Sequence, residues 1–178
     1  MVVLFLAEGF EEIEALLPLD LLRRAGVETV TVGIGGRTIR GAHGICVQAD
    51  TEIVPQDRLD MVILPGGMPG AAHLDASDVV DKTLARADAD GAYLAAICAA
   101  PMVLGHKGYL HGKRAVCFPG FESELIGADV QTSCGVVRDG RIITAKGMGV
   151  ALDFGMRLVA ALTDEQTAAN LRAAVMAP

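Results

Sequence analysis

The chain has 178 residues, 52% of them hydrophobic and 21% charged, which is enough for one sizeable core and too apolar for a disordered chain. Its net charge of −7, an aromatic content of 4% and the absence of Trp argue against nucleic acid and anionic membranes as partners. The four cysteines, Cys46, Cys98, Cys117 and Cys134, form no CxxC pair, so a structural zinc site is not indicated and free thiols in a reducing cytoplasm are expected.

The chain opens on MVVLFLA, an apolar run that Glu8 stops. It lacks a basic leader and is too short to span a bilayer, so it reads as a buried first strand. A helix is predicted over 11–25, with Ile13, Leu16, Leu17 and Leu21 as its core stripe and a kink at Pro18, which has no N–H to donate. Glu11 and Glu12 read as solvated acids in its first turn. Glu14, next to the end of the first strand, reads equally as such an acid or as a general base. ETVTVGI follows as a second strand. GIGGR (33–37) lacks the spacing of a dinucleotide or phosphate loop, so no nucleotide cofactor is indicated.

MVIL (61–64) is another continuous apolar strand and leads directly into PGGMPG. The paired Gly66 and Gly67 allow close backbone approach, and their amides suit an oxyanion hole; the simpler reading is a turn. A helix over 77–87 and the strand AYLAAIC complete a βαβα rhythm, which implies a mostly parallel sheet covered on both faces. AVCF (115–118) reads as a further strand, CGVVRDGRIITA as a hairpin around RDG, and helices follow over about 150–162 and after Thr163. Thr163 and Gln166 have capping-box spacing. Without repeats or a long linker, residues 1–178 read as one domain.

Cys98 ends a strand and is followed by Ala99, Ala100 and Pro101, small residues that permit a sharp strand-to-helix turn. A helix start favours thiolate, so a reactive, low-pKa thiol is preferred over an inert core cysteine. Cys46 and Cys117 sit inside apolar runs and read as core, and Cys134 as partly exposed. His106 and His111 flank a glycine-rich stretch and read as solvated. No histidine has dyad or metal-ligand spacing to Cys98.

Taken in order, AEGFEEIEA (7–15), VILPGGMPGA (62–71), AAICAAP (95–101), CFPGFE (117–122) and GMGVALDFG (147–155) resemble the ThiJ/PfpI superfamily, in its DJ-one/YajL-like branch. The resemblance implies a flavodoxin-like three-layer α/β sandwich, a homodimer and no metal or other cofactor. It also implies Cys98 as the reactive thiol, Glu14 as its carboxyl partner, and the amides of Gly66, Gly67 and Ala99 around the reacting oxygen. Phe118, Pro119 and His43 would line the pocket. Two departures stand out. Ala99 replaces the histidine of the protease-like branch, which disfavours a Cys-His hydrolase. Phe118 stands where another branch has histidine, which implies slow turnover. The implied activity is glyoxalase or deglycase chemistry on 2-oxoaldehydes such as methylglyoxal or on their early adducts. The alternative is a redox-sensing stress protein or chaperone whose cysteine oxidises to sulfinate.

Overall fold

The computed structural model describes residues 1–178. In chain order the main elements are β1 (Val2–Ala7), α1 (Glu12–Arg24), β2 (Thr29–Ile34), β3 (Thr38–Arg40), β4 (Cys46–Gln48), β5 (Met61–Leu64), α2 (Gly70–Asp75) and α3 (Asp78–Ala89). They continue with β6 (Tyr93–Ile97), α4 (Pro101–His106), β7 (Arg114–Ala115), β8 (Asp129–Val130), β9 (Val136–Asp139), β10 (Ile142–Ala145), α5 (Ala151–Leu162) and α6 (Glu165–Ala174).

Six strands form the central sheet in the order β2-β1-β5-β6-β10-β9. All neighbours are parallel except β9, which pairs antiparallel with β10 across the two-residue turn Gly140–Arg141. Both faces are covered, which is why the strands read as unbroken apolar runs. Val3, Phe5, Val62, Leu64 and Ala96 point to the side packed by Leu74, Val80, Leu84 and Val103 of α2, α3 and α4. Leu4, Leu6, Ile63, Ala95 and Ile97 point to the opposite side, against Leu21 and Leu22 of α1 and Phe154 and Leu158 of α5. A fully buried side chain of this size contributes about 1.5–3 kcal/mol, so the two clusters dominate stability. Gly155 lets α5 approach α1, since a Cβ there would lie 2.6 Å from Leu21 Cδ1. The arrangement is the flavodoxin-like α/β sandwich implied by the resemblance.

Several local expectations are corrected. AVCF contributes only Ala115 to a strand, because β7 pairs with β8 in a separate two-stranded ribbon and Cys117 and Phe118 leave it as loop. Cys46 is exposed, because β3 and β4 form a ribbon outside the main sheet; Cys117 is buried and Cys134 half-buried, as expected. α6 is capped by Asp164, whose carboxylate accepts from the Thr167 amide at 2.7 Å, while Thr163 Oγ1 donates back to the Val159 carbonyl. The core stripe of α1 is rotated from the predicted one: Ile13 is exposed and Leu16 and Leu17 are half-buried, whereas Glu12, Glu14, Ala15, Pro18 and Leu22 are buried. The helix runs on past Pro18 to Arg24.

From β1 the chain moves to β2 on one side, then crosses back to β5 on the other. That reversal opens a crevice at the carboxyl ends of β1 and β5, where such sheets bind ligands. The segments leaving β1, β5 and β6 all converge there.

Candidate active site

Cys98 follows the last residue of β6 and has φ +65°, a left-handed conformation that is strained for a side chain with a Cβ. Its N–H is held by the Ala145 carbonyl at 2.9 Å, and its own carbonyl accepts from the Phe118 amide at 2.8 Å. β10 and the loop after β7 therefore fix the elbow from both sides. Pro101 occupies the first turn of α4, where its missing donor is not needed.

Glu14 reaches the same point from the first turn of α1. It is 1% exposed, and its carboxyl and the Cys98 side chain close on the same point above Gly66. The Gly66 amide donates to Glu14 Oε2 at 3.1 Å, and the Met148 amide lies near enough to the same carboxylate to favour its charged form. Glu11 caps the helix by accepting from the Glu14 N–H at 2.7 Å, which fixes the turn that carries Glu14. Gly66 makes the convergence possible. A Cβ on it would lie 2.5 Å from Glu14 Oε2 and 2.6 Å from Cys98 Cβ. Gly67, at φ +85°, turns its amide toward the sulfur, as does Ala99. Gly66 therefore serves the carboxyl rather than the reacting oxygen, and the donors at sulfur are Gly67 and Ala99.

Burial pushes the Glu14 carboxyl up to about 7, with the nearby Glu11 charge adding to it and the bond to Cys98 opposing it. Burial and then the Glu14 charge push the Cys98 thiol up to about 12, against the smaller pull of the Gly67 and Ala99 amides. The helix start that favours a thiolate is therefore opposed here by burial and by the adjacent Glu14 carboxyl, and α4 is only six residues long. A carboxyl poised near neutrality beside the sulfur is suited to taking the thiol proton at the moment of attack.

His43 lies at the far side of the α1 start. Its ring hydrogen-bonds Glu12 Oε2 at 2.9 Å and its amide donates to Glu12 Oε1 at 2.8 Å, with the side chain 70% exposed. It is placed against Glu12 rather than against Cys98 or Glu14. Glu12 is consequently buried, not solvated as expected; despite the burial that opposes it, His43 holds its carboxyl low, and Glu12 in turn raises His43. Glu11, Glu12 and His43 bring their ligand atoms within 4.8 Å of one another, the only such cluster in the chain, and Glu12 is already satisfied by this pairing. His106 is also no free surface group, since it bridges Asp75 at 2.8 Å and Glu124 at 2.9 Å.

The loop after Cys117 completes the surroundings. A Cβ on Gly147 would lie 3.3 Å from the Phe118 ring and 3.9 Å from Glu14 Oε1, so ring and carboxyl flank one point. Phe118, Pro119, Gly147 and Met148 line a cleft of about 420 Å³ beside the pair. The sequence reading missed Gly147 and Met148 as neighbours of Glu14; the signal for them was the glycine-flanked GMG segment at the end of β10.

Fold and site together define an α/β protein carrying a strained cysteine, paired with a buried glutamate, at the switch point of its sheet. Residues 1–161 match the family model described as the DJ-1/PfpI family, and the chain belongs to that family. Protein dj-1beta of Drosophila melanogaster is 33% identical over 171 residues, 92% of this chain and 90% of the relative. The Caenorhabditis elegans protein named glutathione-independent glyoxalase DJR-1.2 is 30% identical over 163 residues, 90% of this chain and 87% of its own. Among solved structures, oxidized Toxoplasma gondii DJ-1 superposes with a TM-score of 0.93 at 34% identity, covering 99% of this chain and 97% of that one. No helix is long and apolar enough to cross a membrane.

Proposed function

We propose that this protein converts small 2-oxoaldehydes, methylglyoxal among them, to 2-hydroxy acids without a cofactor. The observation that carries this reading is the convergence of Cys98 and the buried Glu14 carboxyl at Gly66, which brings a nucleophile beside a base poised near 7. The name of the C. elegans relative supports it.

The chemistry balances within the substrate. The Cys98 sulfur bonds to the aldehyde carbon as Glu14 takes the thiol proton, which passes to the aldehyde oxygen to give a hemithioacetal. The amides of Gly67 and Ala99 stabilise the charge that forms on that oxygen. Glu14 then removes the hydrogen on this carbon as a proton and delivers it to the neighbouring carbon, while the hemithioacetal hydroxyl proton passes to the neighbouring carbonyl oxygen. The first carbon is thereby oxidised to a thioester and the second reduced to an alcohol, so no outside oxidant is needed. Water attacks the thioester, the C–S bond breaks, and the sulfur regains its proton. Early adducts of the same aldehydes would use the same two residues. Phe118 offers no second acid or base, so turnover is slow.

The test is lactate formation from methylglyoxal by the reduced protein, by Cys98→Ser and by Glu14→Gln. A second reading, a redox sensor, is favoured by the oxidized state described for the Toxoplasma relative. Here Glu14 and the same amides would hold a sulfinate on Cys98. It predicts peroxide-dependent sulfinate with no lactate. Self-association belongs to the proposal: Ile13 in the first turn of α1 and Ile45, whose amide donates to Glu12 Oε1 of that turn, are 45% and 55% exposed apolar side chains available to a second copy.

A further inference from the structure

The cleft beside the catalytic pair is built for more than a methyl group. Phe118 and Met148, two of the largest exposed apolar side chains in the protein, at 48% and 53%, stand on its walls, with Pro119 and Val150 beside them. Its volume of about 420 Å³ falls in the range of roughly 300–1,000 Å³ that holds substantial organic ligands. The single charged side chain lining it, Lys146, is tied back to the Thr132 carbonyl at 2.9 Å. The Phe118 ring and the Glu14 carboxyl lie within 4 Å of the same point above Gly147, so the apolar wall begins where the proton transfer takes place. The Phe118 backbone is also bonded to the Cys98 carbonyl, which fixes the ring's base relative to the nucleophile.

From this placement the geometry points to Phe118 as a specificity-determining residue that selects 2-oxoaldehydes carrying an aryl or other bulky apolar substituent. The inference rests on the 2-oxoaldehyde reading of the site and deepens it. With the aldehyde carbon at Cys98 and the neighbouring carbon at Glu14, the third substituent extends past Gly147 into the cleft. An aryl group there meets the Phe118 ring edge-to-face or offset and removes its apolar surface from water. A methyl group leaves the cleft wet. Because these contacts form equally in the ground and transition states, they lower KM more than they raise kcat.

Steady-state kinetics on methylglyoxal and phenylglyoxal, followed as lactate and mandelate, test this for the native protein, Phe118→Leu and Phe118→Ala. In the native protein kcat/KM for phenylglyoxal should exceed that for methylglyoxal about tenfold or more, the size of effect that apolar pocket contacts supply. Phe118→Ala should lower the phenylglyoxal value about tenfold, through KM, and move the methylglyoxal value less than about threefold; Phe118→Leu should fall between. Binding is read separately by NMR titration of the unreactive products into the native protein. Mandelate should bind several-fold more tightly than lactate and shift the Phe118 and Met148 signals. Turnover of methylglyoxal with no aryl preference overturns the inference alone. No turnover of either aldehyde, with mandelate still preferred at Phe118, overturns the 2-oxoaldehyde reading and leaves the cleft's selectivity supported. Equal loss for both aldehydes in Phe118→Ala, or equal binding of the two products, overturns the inference.

Discussion

Gly66→Ala adds one methyl group at the most crowded point of the site. The new Cβ would lie 2.5 Å from Glu14 Oε2, 2.6 Å from Cys98 Cβ and 2.9 Å from the Ile97 carbonyl oxygen. None of these can yield cheaply. Ile97 is paired in β6, Cys98 is held on its elbow by two backbone hydrogen bonds, and Glu14 is enclosed and bonded to the Gly66 amide itself. Relief therefore requires the carboxyl to retreat, and ordinary contacts would demand a shift approaching 1 Å. Overpacking of this kind costs about 1–3 kcal/mol, and each kcal/mol lowers the Tm of a chain this size by about 2–4 °C. A misplacement near 1 Å costs on the order of 100-fold in rate. Thermal unfolding and lactate formation, measured on the same preparation, should show a modest drop in Tm and a drop of about two orders of magnitude in rate. Native-like turnover with native-like Tm would refute the reasoning that Gly66 is required for the approach of Glu14 to Cys98.

Two further outcomes follow from the same structure. Glu14 holds its proton up to about 7 when folded, whereas a free carboxylic acid releases it near 4.5. The folded state thus binds more protons between those values, so stability should fall as pH rises from about 4.5 to 7 and then level off, by about 3 kcal/mol at most. Urea unfolding of the native protein against Glu14→Gln across that window checks it, since the variant should lack the decline. If copies associate through the first turn of α1 as proposed, the native protein should scatter light as a dimer and Ile13→Glu as a monomer, with the fold intact by circular dichroism, because Ile13 is already exposed on the single chain.

How much of this was readable in advance depended on what buries each segment. β1, β5 and β6 are covered on both faces, so their unbroken apolar runs identified them directly, and Cys98 could be placed at a strand end. The ribbon β3–β4 stands off the sheet, so ICV around Cys46 resembles a core strand without being one. In α1, helical periodicity allowed more than one buried face. The face chosen carries Glu12 and Glu14 inward because glycines opposite them, Gly41 and Gly66, leave room for carboxylates. No period in α1 encodes that, since the space is provided by residues tens of positions away. The thiol's surroundings were only half legible for a related reason: the helix start was visible at Pro101, but the depth of burial and the approach of Glu14, which act against a thiolate, emerge only in three dimensions.

The central claim, that Cys98 and Glu14 act as nucleophile and base, is tested most directly by detecting lactate formed from methylglyoxal by the reduced native protein and by Cys98→Ser and Glu14→Gln. Measuring the acid rather than loss of aldehyde excludes trapping by surface amines and thiols. The account predicts lactate from the native protein, none above background from Cys98→Ser, and a reduction of about 100- to 10,000-fold in Glu14→Gln, the range expected for losing a general base. Lactate formed undiminished by either variant, or by none of the three proteins, would contradict it.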